Sequence, residues 1–199
     1  MNLLRVKFIC SSPSVDACPA DGFPEFAFTG RSNVGKSSLI NMLTSRRGIA
    51  KVSSTPGKTR LINHFLVNDT WYLVDLPGYG FAKISQSERL KIRKMTDGYL
   101  TNRKTMRCIF VLIDSRLEPQ RNDLDFLSRL GENGIPFFIL FTKIDKLSAV
   151  ELQKSLARYK KRLSHSWEEL PLIIPTSAKT KEGREIVLGI IEEILEGRL

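Results

Sequence analysis

Residues 30–38 read GRSNVGKSS, which fits G-x-x-x-x-G-K-[ST] with Gly30, Gly35, Lys36 and Ser37 at the fixed positions. The spacing has a chemical purpose. Glycines let the backbone curl until successive N–H groups converge on phosphate oxygens. A helix that starts at the lysine adds the positive end of its dipole. Lys36 then sets a cation against β- and γ-phosphates, and the Ser37 hydroxyl is a ligand for Mg²⁺. The bland alternative is a glycine-rich strand–helix turn with an exposed lysine. Context disfavours it, because the apolar run EFAFTG (25–30) leads in and the helical stretch GKSSLINMLTS (35–45) leads out.

Two later stretches bear on which base accompanies the phosphates. FTKID (141–145) closes an apolar run, at the strand end where open α/β sheets bind ligands. Asp145 can accept from guanine N1–H and the 2-amino group together, a paired donor that adenine lacks. Lys143 can lay its alkyl stem along the base plane. TSAK (176–179) closes the next strand, where the Ala178 N–H can donate to guanine O6. Each short motif alone reads as an ordinary strand-end loop. Their order, on consecutive strand ends, favours guanine. A third stretch, VDLPGYG (74–80), ends an apolar run on Asp75 and turns sharply at Pro77 and Gly78.

These loops need a scaffold. Strand-like runs occur at 25–30, 64–67, 71–75, 108–114, 136–143 and 172–177, several of them apolar throughout, as expected for a sheet covered on both faces. Helical stretches lie between most of them, at 35–45, 85–100, 122–134, 147–164 and 182–196. The alternation predicts an α/β P-loop NTPase fold: a doubly wound, mostly parallel six-stranded sheet with helices on both faces. One antiparallel hairpin is expected where Asn68, Asp69 and Thr70 join two strands directly. Residues 1–22 read as an N-terminal lead-in and 23–199 as one domain. Residues 46–60 (RRGIAKVSSTPGKTR) are basic and aperiodic, and read as a loop that orders when something binds it.

With 199 residues and 42% hydrophobic content, the chain is long and apolar enough to bury a core. Its formal net charge of +10 predicts an acidic partner, whether nucleic acid, a ribonucleoprotein or an anionic surface. The cations cluster in two places: Lys83, Arg89, Lys91, Arg93, Lys94, Arg103, Lys104 and Arg107, and then Lys154, Arg158, Lys160, Lys161 and Arg162. Either group reads as an RNA-phosphate contact or as a solvated helix face. No aromatic ladder for stacking single-stranded bases is visible, so structured RNA fits better. The three cysteines lack metal-site spacing and read as reduced thiols. No apolar run spans a bilayer and the first residues do not read as a signal peptide, which predicts a cytoplasmic protein without integral membrane association. It is expected to be a monomer.

With these motifs assembled, the chain resembles the TRAFAC-class GTPases over nearly its whole length, and more narrowly the EngB (YihA/YsxC) family of bacterial GTPases. The carrying stretches are GRSNVGKSSLIN, PGKTRLINHF, DLPGYGFAK followed by SERLK, and TKID. The resemblance implies a protein that binds GTP and GDP with Mg²⁺ and hydrolyses GTP slowly as a switch. It implies a role in large ribosomal subunit assembly, with the subunit or its rRNA as partner, and in normal septation during cell division. The other reading is a nucleotide-regulated binding module acting on the division machinery or a membrane surface. A phosphate-loop metabolic kinase is disfavoured by the guanine-reading motifs.

Carried over residue by residue, the resemblance makes Ser37 and Thr59 ligands of Mg²⁺, with Thr55 as a rival to Thr59. Asp75 holds a metal-bound water, and the Gly78 N–H meets the γ-phosphate. Lys36, Thr59 and Gly78 are therefore the residues closest to the chemistry. The nucleotide site takes in Gly30, Arg31, Ser32, Asn33, Val34, Gly35, Lys36, Ser37 and Ser38. It continues through Gly57, Lys58, Thr59, Arg60 and Leu61, then Asp75, Leu76, Pro77 and Gly78, and ends with Thr142, Lys143, Ile144, Asp145, Thr176, Ser177 and Ala178. Asn33 either coordinates K⁺ beside the phosphates or only bonds the loop backbone. Thr142 stands where GTPases at large carry asparagine and offers fewer bonds than an amide. Tyr79 stands where many nucleotide hydrolases keep a glutamine, and a phenol cannot orient water as that amide does.

Overall fold

The computed structural model describes residues 5–46, 48–50, 60–80 and 84–199. Its centre is a seven-stranded sheet: β1 (Val6–Ser12), β2 (Glu25–Gly30), β3 (Ile62–Val67), β4 (Trp71–Asp75), β5 (Met106–Asp114), β6 (Phe137–Thr142) and β7 (Ile173–Pro175). The spatial order is β1-β3-β4-β2-β5-β6-β7. Pairing is parallel from β4 through β2, β5 and β6 to β7. It is antiparallel at β3–β4 and at β1–β3.

The expected hairpin is therefore present. Asn68 and Asp69 both take positive φ, 50° and 57°, the left-handed pair that matches the twist of the strands they join. The expected count of six strands was one short. The seventh is β1, inside the stretch read as a lead-in, which adds a second antiparallel pair. Its residues gave little warning. Phe8 and Ile9 are exposed, and the register slips between Phe8 and Cys10. A bulged edge strand loses the clean alternation by which strands are recognised.

Among the described residues five α-helices cover the sheet: α1 (Lys36–Leu43), α2 (Gln86–Asn102), α3 (Arg121–Glu132), α4 (Ala149–Leu163) and α5 (Arg184–Leu195). β5 shows why the runs are apolar without a break. Cys108, Phe110 and Leu112 pack with Leu39, Leu43 and Leu188 of α1 and α5. Ile109, Val111 and Ile113 pack on the other face with Tyr99, Leu127 and Tyr159 of α2, α3 and α4. Both faces are buried, so both sets of alternating positions must be apolar.

The N-terminal end of β2 is pinned by a buried ion network. Glu25 is fully buried, and its carboxylate accepts from Tyr99 Oη (2.5 Å), Arg103 Nε (2.9 Å) and Thr105 Oγ1 (2.9 Å). His64 Nε2 lies 3.6 Å away, beyond hydrogen-bond length but near enough to favour the charged form. Burial works to raise this carboxyl, and the neighbouring His64, Arg103 and Tyr99 outweigh it, bringing it from 4.5 down to about 2. A depressed carboxyl stabilises the fold above its unfolded value and loses that stabilisation as pH falls through the folded one. Two and a half units correspond to about 3 kcal/mol. Glu25→Gln is expected to destabilise the protein by about that amount at pH 7. It should also flatten the decline in melting temperature between pH 4.5 and 2, as thermal melts across that range will show.

Candidate functional site

The C-terminal ends of the parallel strands converge on one edge of the sheet, and the described ones among the residues singled out from the sequence cluster there. β2 ends in Gly30 and the chain wraps through residues 31–35 into α1. The wrap needs positive φ at Asn33 (64°) and at Gly35 (103°). Gly30 is required by its surroundings as well. A Cβ there would stand 2.7 Å from the Leu112 carbonyl oxygen. Val34 turns inward, 3% exposed, with its N–H donating to Arg31 O at 3.2 Å. Lys36, Ser37 and Ser38 occupy the first turn of α1, where backbone N–H groups have no helical acceptor and face outward along the dipole.

Asp75 closes β4, next to β2, and is 3% exposed. Its Oδ1 accepts from Lys36 Nζ, and its Oδ2 lies 3.5 Å from Asn63 Nδ2. The peptide that follows is tied to the base of the phosphate loop. Leu76 N–H donates to Phe28 O (3.0 Å), and Thr29 Oγ1 donates to Pro77 O (3.0 Å). Tyr79 N–H reaches Gly30 O at 3.3 Å. A Cβ on Gly78 would stand 2.4 Å from that same Gly30 oxygen. Mg²⁺ favours hard oxygen donors, with several positions left to water and phosphate. A buried carboxylate beside a lysine, with the Ser37 hydroxyl on the adjoining helix turn, meets that description, so these residues fit the ion.

The second half of the edge is a cavity of about 360 Å³ whose walls include Gly35, Ser38, Lys143, Asp145, Ala178 and Lys179. Asp145 sits on a short 3-10 turn, Ile144–Lys146, after β6. Its Oδ1 accepts from Ser177 Oγ at 2.8 Å. Ser177 is itself fixed, since its hydroxyl accepts from Lys179 N (3.2 Å) and Thr180 N (3.1 Å). Lys143 takes positive φ (63°) and reaches across to Asn33 O at 2.6 Å, joining the cavity to the phosphate loop. Such a pocket can clasp a planar heterocycle whose edge carries two donors.

Several residues grouped with the site serve it from behind. Thr142 is 4% exposed, and its hydroxyl lies 2.7 Å from Val34 O and 3.2 Å from Ile113 O. It braces the phosphate loop against β5. Leu76, Ile144 and Thr176 are buried, with Thr176 Oγ1 donating to Phe141 O at 3.0 Å. Arg31 runs under Gly80, where a Cβ would stand 3.6 Å from its Nε. Arg60 is exposed and reaches Glu88 at 2.7 Å, and Leu61 is exposed too. Gly57, Lys58 and Thr59, along with Thr55, lie outside the described residues.

Tyr79 has a packing role. Its ring stacks on Phe126 of α3 at 4.6 Å and 22°. Its hydroxyl is buried facing Asp123, and among the described residues neither that hydroxyl nor Asp123 Oδ1 has a hydrogen-bond partner. Burial, opposed by the Tyr79 hydroxyl and Arg31, pushes the Asp123 carboxyl up to about 6. Sequence reasoning passed over Asp123 because a lone acid near a helix start reads as ordinary capping. It also passed over Asp114, for want of any motif around it.

A protein-family model described as 50S ribosome-binding GTPase matches residues 25–143. A Bacteroides fragilis protein called probable GTP-binding protein EngB is 55% identical over 194 residues, covering 98% of this chain and 96% of that one. The crystal structure of a probable GTP-binding protein engB superposes with a TM-score of 0.69 at 25% identity, over 87% of this chain and all of that one. Era, in a crystal structure with MgGDPNP and nucleotides 1506–1542 of 16S ribosomal RNA, superposes with a TM-score of 0.67 at 21% identity, over 85% of this chain and 55% of that one. The likeness to Era is one of fold.

Proposed function

This chain belongs to the EngB family of GTP-binding proteins, and from that premise we propose that it is a Mg²⁺-dependent GTP switch acting in large ribosomal subunit assembly, and through it in normal cell division. The observation that carries the reading is the contact between Gly78 and Gly30. It sets the peptide assigned to the γ-phosphate directly on the phosphate loop, and the basic helix α2 comes next in the chain. Family membership supports the GTP chemistry, and the description of the matching family model supports the large subunit. Era, a protein of the same fold, is seen with 16S ribosomal RNA, which is in keeping with an RNA partner.

In this reading the N–H groups at the start of α1 and the Lys36 ammonium hold the β- and γ-phosphates. Releasing Lys36 from Asp75 toward phosphate would free that carboxylate to face the ion through a water. Ser37 and Thr59 would hold Mg²⁺, which when bound would supply neutralisation of phosphate charge. Asp145, set by Ser177, reads the guanine edge, and Ala178 N–H donates to O6. Tyr79 takes no part in aligning water, so intrinsic turnover is slow. The exposed Asn33 side chain, at the bend of the loop, is the proposed K⁺ ligand. Among the described residues no helix is long and apolar enough to cross a membrane, which accords with a cytoplasmic site of action.

The cationic surface is narrower than the count of charges suggests. Arg103 is committed to Glu25, and Arg93 pairs with Asp97 at 3.5 Å. Arg89, Lys91 and Lys94 remain exposed on α2. Co-sedimentation with purified large subunits is therefore expected with a non-hydrolysable GTP analogue, weaker with GDP, and lost in R89E/K91E/K94E. Binding should fall by about tenfold or more between 50 and 200 mM salt. Recruitment to anionic vesicles with none to subunits would overturn the ribosomal reading. Equal GTPase rates in K⁺ and Na⁺ would remove the role given to Asn33.

A further inference from the structure

β5 ends on Asp114, at the same edge as the candidate base cavity and paired in register with Thr142. It is 8% exposed and carries an unusual load for a single carboxylate. Oδ1 accepts from the Arg116 backbone N–H (3.2 Å) and from Arg116 Nε (2.9 Å). Oδ2 accepts from Arg116 Nη2 and from Lys143 Nζ, both at 2.8 Å. Two cations thus share one carboxylate oxygen. Lys143 has one further bond, to Asn33 O of the phosphate loop at 2.6 Å.

We propose that Asp114 is a positioning residue for the purine base, holding the Lys143 stem in the plane that a bound base requires. The inference rests on reading the cavity at Lys143 and Asp145 as the base subsite. Lys143 needs such help. It lies between β6 and a 3-10 turn at positive φ, so neither element dictates its side-chain direction. Its four-carbon stem has several free rotors, and a lysine left to itself spreads over many of them. A charge-assisted bond at one end and the Asn33 carbonyl beside it reduce that freedom to one arrangement. Burial acts to raise the Asp114 carboxyl, and the bonds from Arg116 and Lys143 more than reverse it, so the carboxylate stays charged.

The shared oxygen gives the proposal a signature that a purely structural role lacks. With Asp114 neutral, Arg116 and Lys143 face each other without a counter-charge, and Arg116 pushes Lys143 off its position. Removing Arg116 as well should relieve that repulsion, so the two changes should be less than additive.

The test uses the full chain and GDP, with calorimetric affinities and the dissociation rate of a fluorescent GDP. Asp114→Asn and Asp114→Ala are expected to weaken GDP about tenfold, mainly through faster dissociation. Arg116→Ala alone should change affinity by less than about twofold, and D114A/R116A should regain about threefold over D114A. Melting curves keep the comparison to folded protein, and Asp114→Asn preserves shape if the alanine variant does not fold. Two results would each overturn the proposal: GDP affinity within about twofold of wild type in Asp114→Asn, or no recovery in the double variant. Failure of the unaltered protein to bind GDP would instead sink the base-subsite reading on which it rests.

Discussion

Gly78→Ala is expected to lower GTP turnover by about a hundredfold or more while GDP still binds. The added Cβ would stand 2.4 Å from the Gly30 carbonyl oxygen, a distance that real Cβ atoms do not adopt. Gly30 cannot yield. It ends the central strand β2, and its own α-carbon already faces the Leu112 backbone, where a Cβ would be 2.7 Å from oxygen. The peptide carrying Gly78 must lift instead. That peptide bears the N–H assigned to the γ-phosphate, and a displacement of about 1 Å near reacting atoms costs on the order of a hundredfold. In the proposed function a diphosphate rests mainly on residues 30–38, so the loss should fall on GTP. Single-turnover hydrolysis alongside GDP and GTP-analogue affinities will separate these effects, and wild-type turnover would contradict the role given to Gly78.

Asp145→Asn is expected to reduce affinity for guanine nucleotides by about a thousandfold or more and to improve binding of xanthosine nucleotides. A carboxylate held by Ser177 offers two acceptors to the paired donors of guanine. Asparagine replaces one acceptor with a donor, leaving a guanine donor facing a donor without a partner. Xanthine carries a carbonyl where guanine carries its amino group, and so complements the new amide. Nucleotide competition assays with the guanosine and xanthosine diphosphates read this directly. Unchanged preference for guanosine would place the base elsewhere.

The sequence disclosed those parts of the molecule where chemistry restricts residue choice. The phosphate loop was legible because its curl needs Gly30 and Gly35, and its charge needs Lys36. The strand core was legible because both faces of β5 are buried. β1 was not, since an edge strand with Phe8 and Ile9 in solvent lacks the alternation that marks a half-buried strand. Thr142 could be located but not understood. Only the fold brings its hydroxyl to Val34 O, 108 residues away in the chain. Asp114, Asp123 and Arg103 share that difficulty. Each acts through a partner brought near by the sheet order, and single-sequence patterns carry no record of such pairs.

That sheet order also bears on how the molecule comes into being. β2 is among the first strands synthesised, yet it lies between β4 and β5, and its Glu25 is bound to Thr105, 80 residues away. Folding must therefore wait on distant contacts, the condition that makes a chain slow to fold. Synthesis runs from the N-terminus. The segments assigned to phosphate, in β2, α1 and β4, are made before those assigned to the base, from β6 to Ala178. Yet Thr142 and Lys143 of the later group hold Val34 O and Asn33 O of the earlier one, so the proposed phosphate cradle is complete only when the last third of the chain has folded onto it.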